Sequence, residues 1–113
     1  MGLEQKFLRD FGKAALIHKD REIPYAELIS MVSRFSRAYR LERGARVAVF
    51  AENRPEWIYA FFSAWAKGGI AVPIDYLSPA PEVAYILADC QPAAVFCSSV
   101  TREVLIVAIA SAT

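Results

Sequence analysis

The chain has 113 residues, 56% of them hydrophobic, and 13 basic against 12 acidic side chains leave a net charge of +1. That length is one domain's worth of polypeptide, enough for a core but small for a complete α/β enzyme. So balanced a charge gives no strong field for nucleic acid or an anionic membrane, and neither is expected as a partner; the high apolar content predicts surface that meets other polypeptide.

Residues 3–13 read as a short amphipathic helix with Leu3, Phe7, Leu8 and Phe11 on one side. Residues 14–19 then form a strand, Asp20 and Arg21 a tight turn without glycine, and residues 22–24 a short return strand. Over residues 25–41, Tyr25, Leu28, Val32, Phe35 and Tyr39 fall three and four apart, which predicts an amphipathic helix of about four turns closed by Gly44. Arg34, Arg37, Arg40, Arg43 and Arg46 decorate its second half and the turn that follows. They read as a solvated face suited to the helix's negative C-terminal end rather than as a phosphate patch, because their spacing scatters them and Glu42 offsets part of their charge.

The stretch from Arg46 to Tyr76 organises the chain. The run 47–51 is apolar, and its β-branched and aromatic residues show no polar alternation, as expected of a central parallel strand buried on both faces. Asn53 is then placed as a helix N-cap, with Glu56 three residues on as in a capping box and Pro55 in the first turn. Trp57, Ile58, Phe61, Phe62 and Trp65 recur at helical spacing, which predicts five large side chains on one face against the sheet. Gly68 and Gly69 close the helix, and residues 70–74 give a second buried run. Two strands joined by a crossover helix lie parallel, and the connection is right-handed.

Beyond Tyr76 a loop leads to a helix start with Ser78 as N-cap and Pro79 and Pro81 in the first turn. Val83, Ile86, Leu87 and Cys90 mark a helix to about residue 89, Gln91 and Pro92 stop it, and residues 93–97 form a third buried strand. Thr101 caps a final segment, 102–110, read as helix because Val, Ile and Ala mix without alternation. No repeat, low-complexity stretch or linker interrupts the pattern, so residues 1–113 are taken as one unit of the α/β class, an open, mainly parallel sheet with flanking helices.

In such a sheet, ligand loops lie beyond the carboxyl ends of the strands, here residues 52–54, 75–78 and 98–101. Asn53, Asp75 and Tyr76 are the polar candidates, and capping and turn formation account for the first two. Gly2, Gly12, Gly44, Gly68 and Gly69 form no phosphate-cradling loop, and no serine sits in a nucleophile elbow. His18, the single histidine, lies in a predicted strand without a second ligand at metal-binding spacing, and the carboxylates are scattered. The residues alone therefore assign no catalytic, cofactor-binding or metal-ligating position. Cys90 and Cys97 read as small buried residues of a reducing compartment. The apolar run 104–110 is far short of the ~20 residues that span a bilayer. The N-terminus lacks the apolar core of a signal peptide, and Lys6 stands where a myristoylation signal needs Ser or Thr, so a cytoplasmic location is expected.

From Ile23 onward the chain resembles the N-terminal portion of adenylate-forming enzymes, the superfamily of acyl-CoA synthetases, luciferases and peptide-synthetase adenylation domains. The matching strings are YAELISMVSRFSRAY, RVAVFAENRPEWIYAFFSAWAKGGIAVPID and SPAPEVAYILADCQPAAVFCSS, in the family's order and spacing. GGIAVPIDYLSP followed by EVAYILADC is most similar to fatty-acyl-CoA synthetases. The resemblance implies a complete protein that activates a carboxylic acid with ATP and Mg²⁺ to an acyl-adenylate and passes the acyl group to coenzyme A. It also implies that the family's phosphate loop, nucleotide-binding residues and catalytic lysine lie downstream of the matched region, so that none maps here. The chain departs from the family in stopping at Thr113 and in having Pro24 where a threonine cap is common. The expectation is a structural subdomain, inactive alone, whose partner is the remainder of the ligase chain and whose bare apolar surface favours self-association. A stand-alone α/β binding or oligomerisation module is the alternative; a receiver-like regulator would need more than the single carboxylate of Glu52 at the end of the first central strand.

Overall fold

A computed structural model describes residues 12–112, so the helix expected over 3–13 lies, up to residue 11, outside the described residues. Ala14–His18 (β1) and Arg21–Pro24 (β2) pair antiparallel. The turn between them falls on Lys19 and Asp20, one residue earlier than expected, with φ of 49° and 65°. Left-handed geometry at both positions matches the twist of a two-residue hairpin, and Asp is among the residues that tolerate it without glycine.

Helix α1, Tyr25–Arg37, starts directly from β2, and its first amide donates to the carbonyl of Lys13. It ends well short of residue 41. Tyr39 leaves the helical path to donate its hydroxyl to Ser63 Oγ at 2.9 Å, Ser63 itself donating to the carbonyl of Ala60, and its ring meets Phe96 edge to face. A tertiary hydrogen bond and ring contact thus outweigh the local periodicity.

Strand β3, Arg46–Phe50, is the centre of a three-stranded parallel sheet of order β4-β3-β5, with β4 at Ile70–Ile74 and β5 at Ala94–Cys97. Val47, Ala48, Val49 and Phe50 are all 1% exposed or less. Helix α2 (Pro55–Ala66) lies on the α1 side of the sheet. Helices α3 (Ala80–Cys90) and α4 (Arg102–Ala112) cover the other face, where Ala48 and Phe50 pack with Val83, Leu87, Leu105 and Ala108. Fully burying a side chain such as Phe50 contributes about 1.5–3 kcal/mol, so β3 concentrates the hydrophobic stabilisation of both layers.

The flanking strands correct the expectation of three buried runs. In β4 only Ile74 is buried, and Ile70 is half exposed; every residue of β5 is partly exposed, and Cys97 is an exposed thiol rather than a buried one. Both are edge strands.

Helix α2 also turns differently. Its buried residues are Tyr59, Ala60, Ser63 and Ala64, while Trp57, Phe61, Phe62 and Trp65 stack on one another along the next stripe, Trp57 on Phe61 at 5.4 Å. The small stripe faces inward because the helix end approaches the sheet backbone closely. The amide of Gly69 donates to the carbonyl of Ala64 at 2.8 Å, and a Cβ at Gly69 would lie 3.0 Å from the carbonyl oxygen of Ala45. Gly68 at φ +74° and Gly69 close the helix as the sequence predicts. Pro55 holds the first turn, but Arg54 occupies the N-cap position in place of Asn53, and Glu56 turns to Arg54 Nε instead of completing a capping box. At α3 the cap position likewise falls on Pro79 rather than Ser78.

The inward stripe of α2 makes a prediction. Ala64→Leu and Gly69→Ala should each destabilise the fold by about 1–3 kcal/mol through overpacking, read as a lower urea midpoint. An unchanged midpoint for both would place the aromatic stripe against the sheet instead.

Candidate functional site

The chain passes from β3 to β4 on one side and then crosses back to β5 on the other, so the connections leaving β3 and β5 diverge to opposite faces. Diverging connections open a crevice at the carboxyl ends of the two strands, the position where open α/β sheets bind ligands. Glu52, Asn53 and Arg54 form one lip and Ser98 to Thr101 the other. The third loop foreseen from the sequence, residues 75–78, follows β4 and lies beyond the far side of β3.

Thr101 ties the lips together. Its hydroxyl, 1% exposed, donates to the carbonyl of Phe50 at 2.6 Å and accepts from the amide of Ser98 at 3.1 Å. Ser98 Oγ in turn accepts from the amide of Val100. Thr101 stands where the sequence placed a cap for the last helix, but its side chain is spent on β3; only its carbonyl serves the helix, accepting from Leu105.

On the facing lip, the Ser98 hydroxyl beside Glu52 is the largest influence holding that carboxyl below the ordinary glutamate range, with Arg54 adding to it. Arg54 sits 3.9 Å from Glu52 Oε2 and donates from Nε to Glu56 Oε1 at 2.8 Å. Glu52 Oε1 is shut away from solvent and accepts no hydrogen bond in proper geometry among the described residues. Partial burial, the largest single influence on the Glu56 carboxyl, would raise it; the hydrogen bond from Arg54, a backbone hydrogen bond and the neighbouring positive charge together bring it below the ordinary range.

A cleft of about 640 Å³ adjoins the crevice between α1, α2 and β5. Phe35, Val49, Ala60 and Phe96 form its apolar floor, and Arg34, Arg54, Glu56 and Ser98 its rim. The chemistry here is one guanidinium between two carboxylates beside hydroxyls already engaged with backbone. Among the described residues no three His, Cys, Asp or Glu side chains gather as metal ligands.

Of the sequence candidates, Asp75 closes its own turn, its Oδ1 accepting from the amide of Leu77 at 2.9 Å and its carbonyl from the amide of Ser78. Tyr76 and Asn53 are exposed. The arginines disperse: Arg34 rims the cleft, Arg37 donates to Ser33 Oγ, and Arg46 reaches the carbonyl of Cys90 at 3.4 Å. Nothing in the sequence marks Glu52, Ser98 and Thr101 as a set. Only the strand order, which decides that the loops after β3 and β5 are neighbours, brings them together.

The family model described as AMP-binding enzyme matches residues 3–112. The chain is similar to an indoleacetate–CoA ligase of Aromatoleum aromaticum, 31% identical over 88 residues that cover 75% of this chain and 17% of that protein. It is 34% identical over 73 residues to a long-chain-fatty-acid–CoA ligase of Mycobacterium tuberculosis, covering 62% of this chain and 14% of the relative. The crystal structure of a benzoate CoA ligase from Burkholderia xenovorans LB400 shares the fold, with a TM-score of 0.87 over 98% of this chain and 24% of that one at 21% identity.

Two predictions follow from the crevice. Thr101→Val removes the hydroxyl between the lips and should cost about 1–3 kcal/mol, measured by denaturant unfolding; an unchanged stability would mean that the bond to Phe50 contributes nothing. Because the folded-state pKa of Glu52 is depressed, its contribution is present above the ordinary glutamate range and is lost as pH falls through the depressed value. In Ser98→Ala the Glu52 titration midpoint, followed by carboxyl-carbon NMR, should therefore rise, and the stability gap to the parent chain should shrink on acidification. A midpoint that stays put would assign the depression to Arg54 alone.

Proposed function

The chain belongs to the AMP-binding enzyme family, and on that premise we propose that it is the N-terminal structural part of an acyl-CoA synthetase. In this reading the complete protein activates a carboxylic acid, of the long-chain fatty class, with ATP to acyl-AMP and transfers the acyl group to coenzyme A. The observation that carries the reading is the unbroken match over residues 3–112, joined to a fold shared with a CoA ligase along nearly the whole chain. The fatty substrate class is supported by the 34% identity to the mycobacterial ligase and by the run GGIAVPIDYLSP. The relative acting on indoleacetate makes an aryl acid the competing substrate class.

In this reading the described residues hold neither ATP nor Mg²⁺. Glu52 is a lone carboxylate at the crevice, and among the described residues no three His, Cys, Asp or Glu side chains gather to supply the several oxygen ligands that Mg²⁺ needs. The paired glycines Gly68 and Gly69 are packed against Arg43, Leu41 and the Ala45 carbonyl, which leaves no open backbone cradle for phosphates. No chemical step is therefore routed through this chain. Its part is to supply a sheet and two helical layers, and the remainder of the ligase polypeptide is the partner that brings the reacting groups.

Calorimetric titration of the 113-residue chain with ATP and Mg²⁺ should give no binding heat, and micromolar binding would overturn the assignment. In the complete ligase, acyl-CoA formation is expected with a long-chain fatty acid in preference to indoleacetate. The opposite preference would leave the ligase reading standing and discard the fatty substrate.

A further inference from the structure

The arginines of residues 34–46 disperse, yet two of them share a second cleft with a lysine from a distant part of the chain. We infer that Arg37, Arg40 and Lys67 form an anion site, separate from the crevice, which takes a small free phosphate compound carrying several negative charges.

The end of α1 makes the site. Helix α1 stops at Arg37, and the chain turns at Ala38 so that Tyr39 reaches Ser63 on α2. That turn carries Arg40 to the cleft that Lys67 lines at the C-terminal end of α2. The cleft measures about 560 Å³, within the size range of small-molecule sites, but its walls are polar. Ser33, Ser36, Arg37, Tyr39, Arg40 and Lys67 line it, and its three charged side chains are all cationic.

Two of the cations are held in place by the fold itself. The guanidinium of Arg37 donates to Ser33 Oγ at 2.7 Å, one turn back along α1. The ammonium of Lys67 donates to the carbonyl of Ser36 at 2.6 Å and lies 5.1 Å from the centre of the Tyr39 ring. Such contacts suit cations at helix ends, where the last carbonyls carry partial negative charge. Each bond engages one donor, and a guanidinium and an ammonium both have further N–H donors to offer a ligand. Side chains already fixed by these bonds lose less freedom when an anion arrives.

Charge and shape select the ligand. A planar guanidinium fork matches two oxygens of one phosphate, and a lysine adds a point charge to a third. A single carboxylate, with two oxygens and one charge, engages fewer of these donors. A concave cleft walled by hydroxyls also fits a free ligand better than it fits a flat membrane surface. The negative ends of α1 and α2 oppose the anion, so the expected dissociation constant is on the order of 1 mM. Mg²⁺ masks the phosphates of ATP, so this site is expected to give that complex no measurable heat.

The test titrates the 113-residue chain with inorganic pyrophosphate at low ionic strength, followed by amide NMR. The amides of Ser33, Ser36, Arg40 and Lys67 should shift together and saturate in the millimolar range, and added salt should weaken the binding. Arg40→Gln should weaken it on the order of 10-fold, whereas Arg102→Gln, which removes the same charge from the start of α4, should leave it unchanged. Arg37→Lys should keep more of the binding than Arg37→Gln. Shifts that fail to saturate, or equal weakening by Arg40→Gln and Arg102→Gln, would reduce the site to general charge attraction and overturn the inference. Binding to mixed phosphatidylcholine and phosphatidic acid vesicles with no binding of pyrophosphate would assign the cleft to a lipid headgroup and overturn it as well. The ligase reading stands or falls independently of these outcomes.

Discussion

Strand β3 must be dry on both faces, and the rest of the molecule follows from that demand. Four consecutive residues, Val47 to Phe50, are sealed from solvent. A strand can be sealed on both faces only if helices cover the sheet above and below, and parallel neighbours joined by crossover helices meet that requirement. The covering is asymmetric in chemistry. On the α3 and α4 side, large aliphatic side chains reach down to Ala48 and Phe50. On the α2 side, a stripe of Ala60, Ser63 and Ala64 lets the helix backbone come close.

The same demand explains where polar groups collect. A chain that leaves β3 toward one face and β5 toward the other splits at the carboxyl end of the sheet, and the backbone groups freed there need partners. Thr101 supplies them, bridging Phe50 and Ser98, and the Glu52, Arg54 and Glu56 cluster gathers around it. Its groups answer one another, with Glu52 Oε1 as the exception. The crevice has the position of a ligand site and the hydrogen bonding of a structural joint.

Much of this architecture is legible in the residues themselves. The unalternating run of β3, Pro55 opening α2, the glycine pair closing it and Pro92 ending α3 are local signals with local causes, and the structure honours each. What was not legible depends on distance in space. Trp57, Phe61, Phe62 and Trp65 have the spacing of a core stripe, but Tyr59, Ala60, Ser63 and Ala64 lie on an adjoining stripe with equally good spacing. The contacts that separate them are tertiary, the close approach of Gly69 to Ala45 and the hydrogen bond between Tyr39 and Ser63. Tyr39 leaves α1 for Ser63, a residue 24 positions away. The apolar runs in β4 and β5 read as buried because their composition matches that of β3; composition does not reveal which strand is flanked on both sides. Glu52, Ser98 and Thr101 form a set only once β5 is known to be the neighbour of β3.

If β3 is the common wall of both layers, the layers cannot come apart separately. Both tryptophans, Trp57 and Trp65, lie in α2, so their fluorescence reports one layer, whereas far-UV circular dichroism reports the helices of both. Denaturant unfolding of the 113-residue chain followed by the two signals should give coincident transitions with one midpoint and one slope. A tryptophan transition clearly separated from the loss of helix would show two layers that fold independently of β3, and would contradict the account.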